Sequence, residues 1–463
     1  MMTQMDMNQE KQNASSLQYL DLYDQCRDML FDHSVEVMNA VRDAACERFR
    51  QSGFPSKKVE RYRYTDIAQL FAPDYGMNLR RLEIPVNPYD SFRCDVPNLS
   101  TSLYFVVNDM FYEKALPKTS LPEGVIVGSL ARHADLVKDY YNRLASQKGD
   151  AVTDLNTMFA QDGLLIYVPK GVVVDKAIQV INILKAPAGG GRMAEASLMV
   201  NRRVLVVAEE GSEVTLLFCD HAADNQPFLT TQVTEVYAGE RSEVNLYCLE
   251  ETHYKNVRVS NVYVEQQRDS RLNHHVITLH NGVTRNMLNL TFRGEGASCS
   301  LGGCAISDKK QHVDNNTLID HQVGGCTSHE LYKYVLNDQS TGAFAGRVLV
   351  RKGAQKTSSD MRNQNLCATR AARMYTQPML EIYADDVKCS HGSTVGQLNE
   401  QALFYMRQRG ISEAAARLLL QQAFVGEVID NIRLEPLRDR LRYLVEKRFR
   451  GELNKCEGCK LCQ

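Results

Sequence analysis

The spacing of apolar positions divides this chain into three regions. Between Ser16 and about Arg50, Leu17, Leu20, Tyr23, Phe31, Val35, Met38 and Val41 recur mostly at three- and four-residue steps among charges, a pattern that predicts amphipathic helix. Gly53 and Pro55 interrupt it, and a mixed segment with Pro85, Pro88 and Pro97 leads to a first strand at Ser102 to Val107. From about Leu103 to Val395 the period shortens to two, as in Leu164, Ile166 and Val168, or Val214, Leu216 and Phe218. One such run repeats: Ser212, Glu213, Val214 and Leu216 return thirty residues later as Ser242, Glu243, Val244 and Leu246. Repetition of this kind predicts stacked units whose apolar faces are buried by their neighbours. A sandwich remains open, but the number of successive short strands favours a β-helix.

After Gly396 the helical period returns. Glu400 to Arg409 closes at Gly410, which can take the left-handed position past a helix end, and Ser412 can cap the next helix. In that helix Leu420, Phe424, Val428 and Ile432 form a stripe, with Leu419 and Ala423 beside it. Burying each large side chain contributes roughly 1.5–3 kcal/mol, so the stripe must meet either the last helix, Pro436 to Arg450, or a partner. The expected organisation is a helical and mixed region over 1–100, a β-helix core over 101–396, a helical region over 397–450 and a cysteine-rich tail over 451–463.

Composition narrows the function. In 463 residues, 54 basic and 56 acidic side chains give a net charge of −2, with no global pull toward nucleic acid or anionic membrane. The first sixteen residues carry no apolar signal-peptide core, and no run of uncharged apolar residues is long enough to span a bilayer. Thirteen cysteines, an odd number, suit a reducing cytoplasm. A phosphate-cradling G-x4-G-K-[ST] loop and a G-x-S-x-G elbow are both missing, which argues against nucleotide hydrolysis and serine esterase chemistry. Gly189 to Gly191 and Gly302 to Gly303 read as turns.

Three constellations could carry chemistry. Cys389 and His391 stand two apart in an extended segment, so both side chains point to one face with Cα atoms roughly 6.5 Å apart. A regular strand would add Asp385 to that face. Thiolate and imidazole suit iron, zinc or an iron–sulfur cluster, but the set is too small for a complete site. The second constellation is the tail, where Cys456, Cys459 and Cys462 form a C-x2-C-x2-C run able to wrap one metal ion or cluster. The third is a scatter of other thiols, Cys219, Cys248, Cys299, Cys304 and Cys326, on or beside alternating strands, where they fill the core. His274 and His275 are adjacent, so in a strand they face opposite ways and cannot share a site.

The segments ADDVKCSHGSTVGQL (Ala384 to Leu398), ALFYMRQRGI (Ala402 to Ile411), AQKTSSDMRNQNL (Ala354 to Leu366), GLLIYVPKGVVVDKAIQV (Gly163 to Val180) and FPSKKVERYRYTD (Phe54 to Asp66) together resemble the SufB/SufD family of the Suf iron–sulfur cluster assembly machinery. The last segment resembles the opening of its SufD branch, with Tyr62 where relatives usually carry Trp; the cysteine tail also departs from the usual pattern. The resemblance implies a right-handed parallel β-helix core, mainly β overall, flanked by helical regions. It also implies a scaffold subunit that is not itself an enzyme, pairing with a SufB-like paralogue and receiving a SufC-like ABC ATPase on its C-terminal helices, at Leu420, Phe424, Val428 and Ile432. His391, with Cys389 and Asp385 beside it, would then lie at the interface where an iron–sulfur cluster or iron is held transiently and shared with SufB. Two alternatives stand beside this: an independent metal-binding homodimer with the tail as its site, and an enzyme using Cys389 as nucleophile and His391 as base.

Overall fold

The computed structural model describes residues 4–82, 84, 86–88, 101–114, 120–186, 197–223 and 226–452. Pro85 and Pro97, the turn expected at Gly189 to Gly191, and Cys456, Cys459 and Cys462 lie outside the described residues. Nineteen strands are described, numbered in chain order: β1 Thr101–Val107, β2 Met110–Phe111, β3 Ile126–Ser129, β4 Leu164–Val168, β5 Ala177–Leu184, β6 Leu198–Ala208, β7 Glu213–Ala222, β8 Phe228–Ala238, β9 Glu243–Glu251 and β10 Val257–Gln266. They continue as β11 Arg271–His280, β12 Val283–Phe292, β13 Ser298–Ser307, β14 His312–His321, β15 Thr327–Leu336, β16 Thr341–Val350, β17 Ser358–Cys367, β18 Arg373–Ile382 and β19 Lys388–Gly396.

From β4 onward each strand passes to the sheet opposite the one before it. Even-numbered strands run β18-β16-β14-β12-β10-β8-β6-β4-β3 in one sheet, and odd-numbered strands run β19-β17-β15-β13-β11-β9-β7-β5-β1-β2 in the other. The ladders between strands two apart in number are parallel, from β4 with β6 to β17 with β19. This is a parallel β-solenoid of about seven turns, and the alternation between sheets excludes a sandwich. The repeat seen in the sequence is one rung of it: Glu213 pairs with Glu243, Val214 with Val244 and Leu216 with Leu246.

Alternation decides which side chains enter the lumen. Val204, Val206, Leu216, Phe218, Val244, Leu246, Val262, Leu288, Leu301, Tyr332, Phe344 and Met361 form one continuous interior column. Two glycines expected in a turn lie instead inside β13, for a packing reason. A Cβ on Gly302 would come within 2.2 Å of the His275 ring, and one on Gly303 within 2.2 Å of the Tyr332 ring. Cys219, Cys299, Cys304 and Cys326 are buried. His274 and His275 take opposite faces, His274 bonding the Leu246 carbonyl at 3.1 Å inside and His275 packing on Tyr247 outside.

Both outer faces are covered over much of the solenoid's length. Helices α1 (Gln4–Asp32), α2 (Glu36–Asn39), α3 (Arg42–Ser52) and α4 (Ile67–Leu70) lie toward the even-numbered sheet with α5 (Ala134–Val137), α6 (Arg143–Lys148) and α7 (Ala151–Phe159). Tyr19, Tyr23, Phe49 and Phe159 pack there in one cluster with Met199, Leu229 and Val259 of the sheet. The family-like segment Phe54 to Asp66 crosses the same sheet. Tyr62 is buried beneath the Arg285 guanidinium, 4.3 Å from its ring centre, and donates its hydroxyl to Asp150.

The odd-numbered sheet is covered by α9 (Glu413–Asp430) and α10 (Glu435–Phe449), while α8 (Glu400–Gln408) leads into them. Asn399 and Ser412 cap α8 and α9 by accepting the backbone N–H groups of Ala402 and Ala415. Gly410 has φ +83°, the left-handed value expected of it. No described helix is long and apolar enough to cross a membrane.

Candidate assembly site at the open end of the solenoid

The solenoid ends on β18 and β19, each the outermost strand of its sheet, with no strand beyond it among the described residues. Their inward-facing positions follow from register. Met361 faces the lumen and pairs with His391, and Ser359 pairs with Cys389, so Cys389, His391, Ser393 and Val395 continue the lumen wall on one side. On the other, Phe344 pairs with Thr376 and Val348 with Leu380, so Met374, Thr376, Pro378, Leu380 and Ile382 continue it. The two walls touch where Thr376 Oγ1 lies 2.7 Å from Ser393 Oγ. In earlier coils these positions are buried by the next coil; here Ile382 is 40% and Val395 52% exposed.

His391 is exposed, while Cys389 is half-buried against the interior column. Burial holds the Cys389 thiol above its ordinary pKa, the opposite of what an activated nucleophile needs. Asp385 does not join them as a strand neighbour: it sits in the bend before β19, whose first residue is Lys388. The expectation of a regular strand through Asp385 fails because the chain must turn between the sheets there, with Lys356 N–H donating to the Asp386 carbonyl at 2.6 Å. Among the described residues no group of three or more His, Cys, Asp or Glu side chains is arranged to hold a metal ion. The open end thus offers one exposed imidazole and one sheltered thiol on a shared face, an incomplete ligand set.

The end coil is braced from outside by the N-terminal region. The Tyr64 ring stacks on Tyr375 at 4.5 Å, and Gln377 Nε2 donates to Glu60 at 2.7 Å. No local pattern announces this contact, because more than 300 residues separate the partners in the second pair. Inside the solenoid, the space beside Cys248, Arg258 and His274 amounts to about 20 Å³, room for about one water. Burial pushes the Cys248 thiol up to about 12, so the lumen holds an inert thiol there.

The α9 stripe divides in two. Val428, and Ile432, which lies two residues past the end of α9 rather than within it as expected, are fully buried against the odd-numbered sheet, so these two of the four expected partner contacts are closed to a partner by the chain's own core. Phe424 is partly buried, with the Lys333 ammonium 4.7 Å from its ring centre, and Leu420 is partly accessible. The exposed apolar surface lies instead on Leu419 and on Phe404 and Tyr405 of α8.

A model of the SufBD core domain of the SUF system of iron–sulfur cluster assembly matches residues 192–424, and a model of the SufBD N-terminal region matches residues 13–180. The iron–sulfur cluster assembly protein SufD of Escherichia coli is 26% identical over 415 residues, covering 88% of this chain and 92% of its own length. A SufBD family protein of Synechocystis is 27% identical over 427 residues, covering 88% and 90%. One of Mycobacterium tuberculosis is 30% identical over 294 residues, covering 59% and 70%. With both family models matched in order along the chain, the chain belongs to the SufBD family of iron–sulfur cluster assembly proteins.

Proposed function

We propose that this chain is a non-catalytic scaffold subunit that docks a SufB-like paralogue on its open solenoid end and presents His391 where an iron–sulfur cluster forms. The observation that carries the reading is that both sheets stop on unprotected edge strands, β18 and β19, with lumen-facing side chains exposed. Such edges are templates for adding strands from another chain, and proteins that stay monomeric usually blunt them. A second solenoid docked end to end would bury Ile382 and Val395 and bring its own ligands to His391 and Cys389. The incomplete ligand set on this side fits a cluster or iron held transiently and shared with the paralogue.

In the same reading a SufC-like ABC ATPase docks on α8 and α9 through Phe404, Tyr405, Leu419, Leu420 and the accessible edge of Phe424. Of these, α9 lies on the odd-numbered sheet, so a pull on it is delivered to the solenoid that carries β19. Cys456, Cys459 and Cys462 form a second candidate metal or cluster site by composition, since three thiolates at this spacing suit zinc or iron. The site of action is the cytoplasm.

Anaerobic purification of the tagged chain from its own cell tests the proposal. A β-helical paralogue and an ABC-type ATPase recovered in stoichiometric amount support it. Recovery of the chain alone as a homodimer with bound metal would replace it with the independent metal-binding reading.

A further inference from the structure

Away from the open end, five successive coils each contribute one turn to a groove along a corner of the solenoid. The turns are residues 252–256, 281–282, 308–311, 337–340 and 368–372, the connections from an odd strand to the next even one. The groove encloses about 880 Å³. With coils spaced about 4.8 Å, five turns span roughly 19 Å. That length matches about six residues of an extended chain at about 3.1 Å each.

The floor is stapled from turn to turn. Lys309 N–H donates to Asp338 Oδ2 at 2.9 Å, Gln339 N–H to the Lys309 carbonyl at 2.9 Å, and Thr369 Oγ1 to the Asp338 carbonyl at 2.7 Å. Lys309 and Asp338 both take φ +49°, so these turns are held in a set, left-handed shape. Asp338 is the one carboxylate in the lining, and it is occupied by that backbone N–H. The cations are not so occupied. Lys309, Lys310 and Arg370 line the groove, and Lys255 stands at its first turn. None of the four makes an ion pair within 4 Å among the described residues. On a chain of net charge −2, this corner has the opposite sign.

The cations also have a spacing. Lys255, the pair Lys309 and Lys310, and Arg370 sit on the first, third and fifth turns, whose backbones are roughly 10 Å apart along the axis. A polyproline II segment repeats a face every three residues, about 9.3 Å. At the first turn Tyr254 is 61% exposed, its ring flanked by the Lys255 and Lys309 ammoniums at 5.9 and 6.0 Å. Exposed aromatics are what polyproline II segments dock on.

We infer that this corner is a docking groove for an extended, polyproline II-like acidic segment of a partner protein, with carboxylates at every third residue. The cations read the carboxylates and Tyr254 takes an apolar or proline ring between them. Residues 453–463 of the chain itself, which follow α10 and its Arg448–Gln311 contact beside the groove, carry Lys455 and Lys460 against Glu457 and do not complement it.

The test uses the full chain and a fluorescein-labelled peptide of four Glu-Pro-Pro repeats, with anisotropy as readout. Binding should weaken at least tenfold in the Lys309→Glu/Lys310→Glu variant and severalfold in Tyr254→Ala, and stay unchanged in Lys57→Glu/Lys58→Glu, which reverses exposed charge elsewhere. A peptide of the same composition with its four glutamates contiguous should bind severalfold more weakly. Equal binding of the two peptides, or equal loss in the control variant, would reduce the effect to general charge attraction and overturn the inference. Displacement of the peptide by inorganic tripolyphosphate, with Tyr254→Ala without effect, would make this a small-anion site and overturn it too. So would tighter binding after removal of residues 453–463, which would make the groove's occupant the chain's own tail.

Discussion

At the scale of single residues, the environment of a side chain separates chemistry from packing. His391 and Cys389 share a strand face, yet one is exposed at the solenoid's end and the other leans into the interior column. His391→Ala removes no buried contact, so it should leave the melting temperature and partner recovery unchanged while lowering cluster maturation in cells severalfold. Normal activity of iron–sulfur client enzymes in that variant would withdraw the role given to His391. Buried carboxyls make a different prediction. Burial pushes the Glu250 carboxyl up to about 7, with Arg258 opposing, while Thr284 Oγ1 donates to it at 2.8 Å. Its folded pKa exceeds the unfolded value of about 4.3, so the folded state binds more protons in that interval, and its contribution to stability falls as pH rises from about 4.5 to 7. Glu250→Gln should therefore be more stable than the natural chain at pH 7.5, by on the order of 3 kcal/mol at most. The difference should vanish toward pH 4.5, as read by thermal midpoints across pH. His274 and His321, each lowered by burial to about 4, act in the opposite sense: their stabilisation is lost as pH falls from about 6.5 to 4. The comparison of variant with parent isolates the carboxyl from them.

At the scale of elements, amphipathic helices meet the sheet that their stripe fits. Val428 in α9 is fully buried against the odd-numbered sheet, whereas Phe424 one turn earlier lies under the Lys333 ammonium. Val428→Asp forces an unpaired carboxylate into that contact and gives up about 2 kcal/mol of apolar burial. Phe424→Asp places its carboxylate beside an ammonium that already pairs with Glu427 at 2.5 Å. We expect the first variant to lower the urea midpoint by several kcal/mol equivalent and the second by clearly less. Equal losses would mean that α9 is held elsewhere. The break at Gly410 and the start of α9 at Ser412 were legible from the sequence, because capping is a local matter. Which half of the stripe faced the solenoid was not legible, since a period of four marks a face without naming what covers it.

At the scale of the whole molecule, a solenoid buries each coil with the next and must end somewhere. The N-terminal end carries β1, β2 and β3, of which β2 and β3 pair antiparallel to their neighbours and break the stack. The C-terminal end has no such device among the described residues. Ile382→Lys with Val395→Lys should leave the isolated chain folded, because both ammoniums reach water at the open end. The same pair should abolish recovery of the β-helical paralogue, because docking would bury two unpaired charges. Undiminished recovery in a pull-down would place the paralogue's contact on another surface.

The sequence by itself determined the local periods and their order, helix then strand then helix, because backbone geometry writes a repeat of 3.6 or 2 into apolar spacing. It also determined the thirty-residue rung, since stacked coils repeat one solution to the same packing problem, and it carried the family through motifs spread along most of the chain. Tertiary structure alone decided which residues separated by one or more coils become neighbours. It put Gly302 and Gly303 inside a strand beneath two rings, took Asp385 out of the strand face, closed Val428 and Ile432 to a partner, and set Tyr64 on Tyr375. It also aligned Lys255, Lys309, Lys310 and Arg370, spread over more than a hundred residues of chain, along one corner. These are products of coil stacking, and the register of one coil on the next is fixed by interior packing summed over the whole column, which no local window of sequence contains.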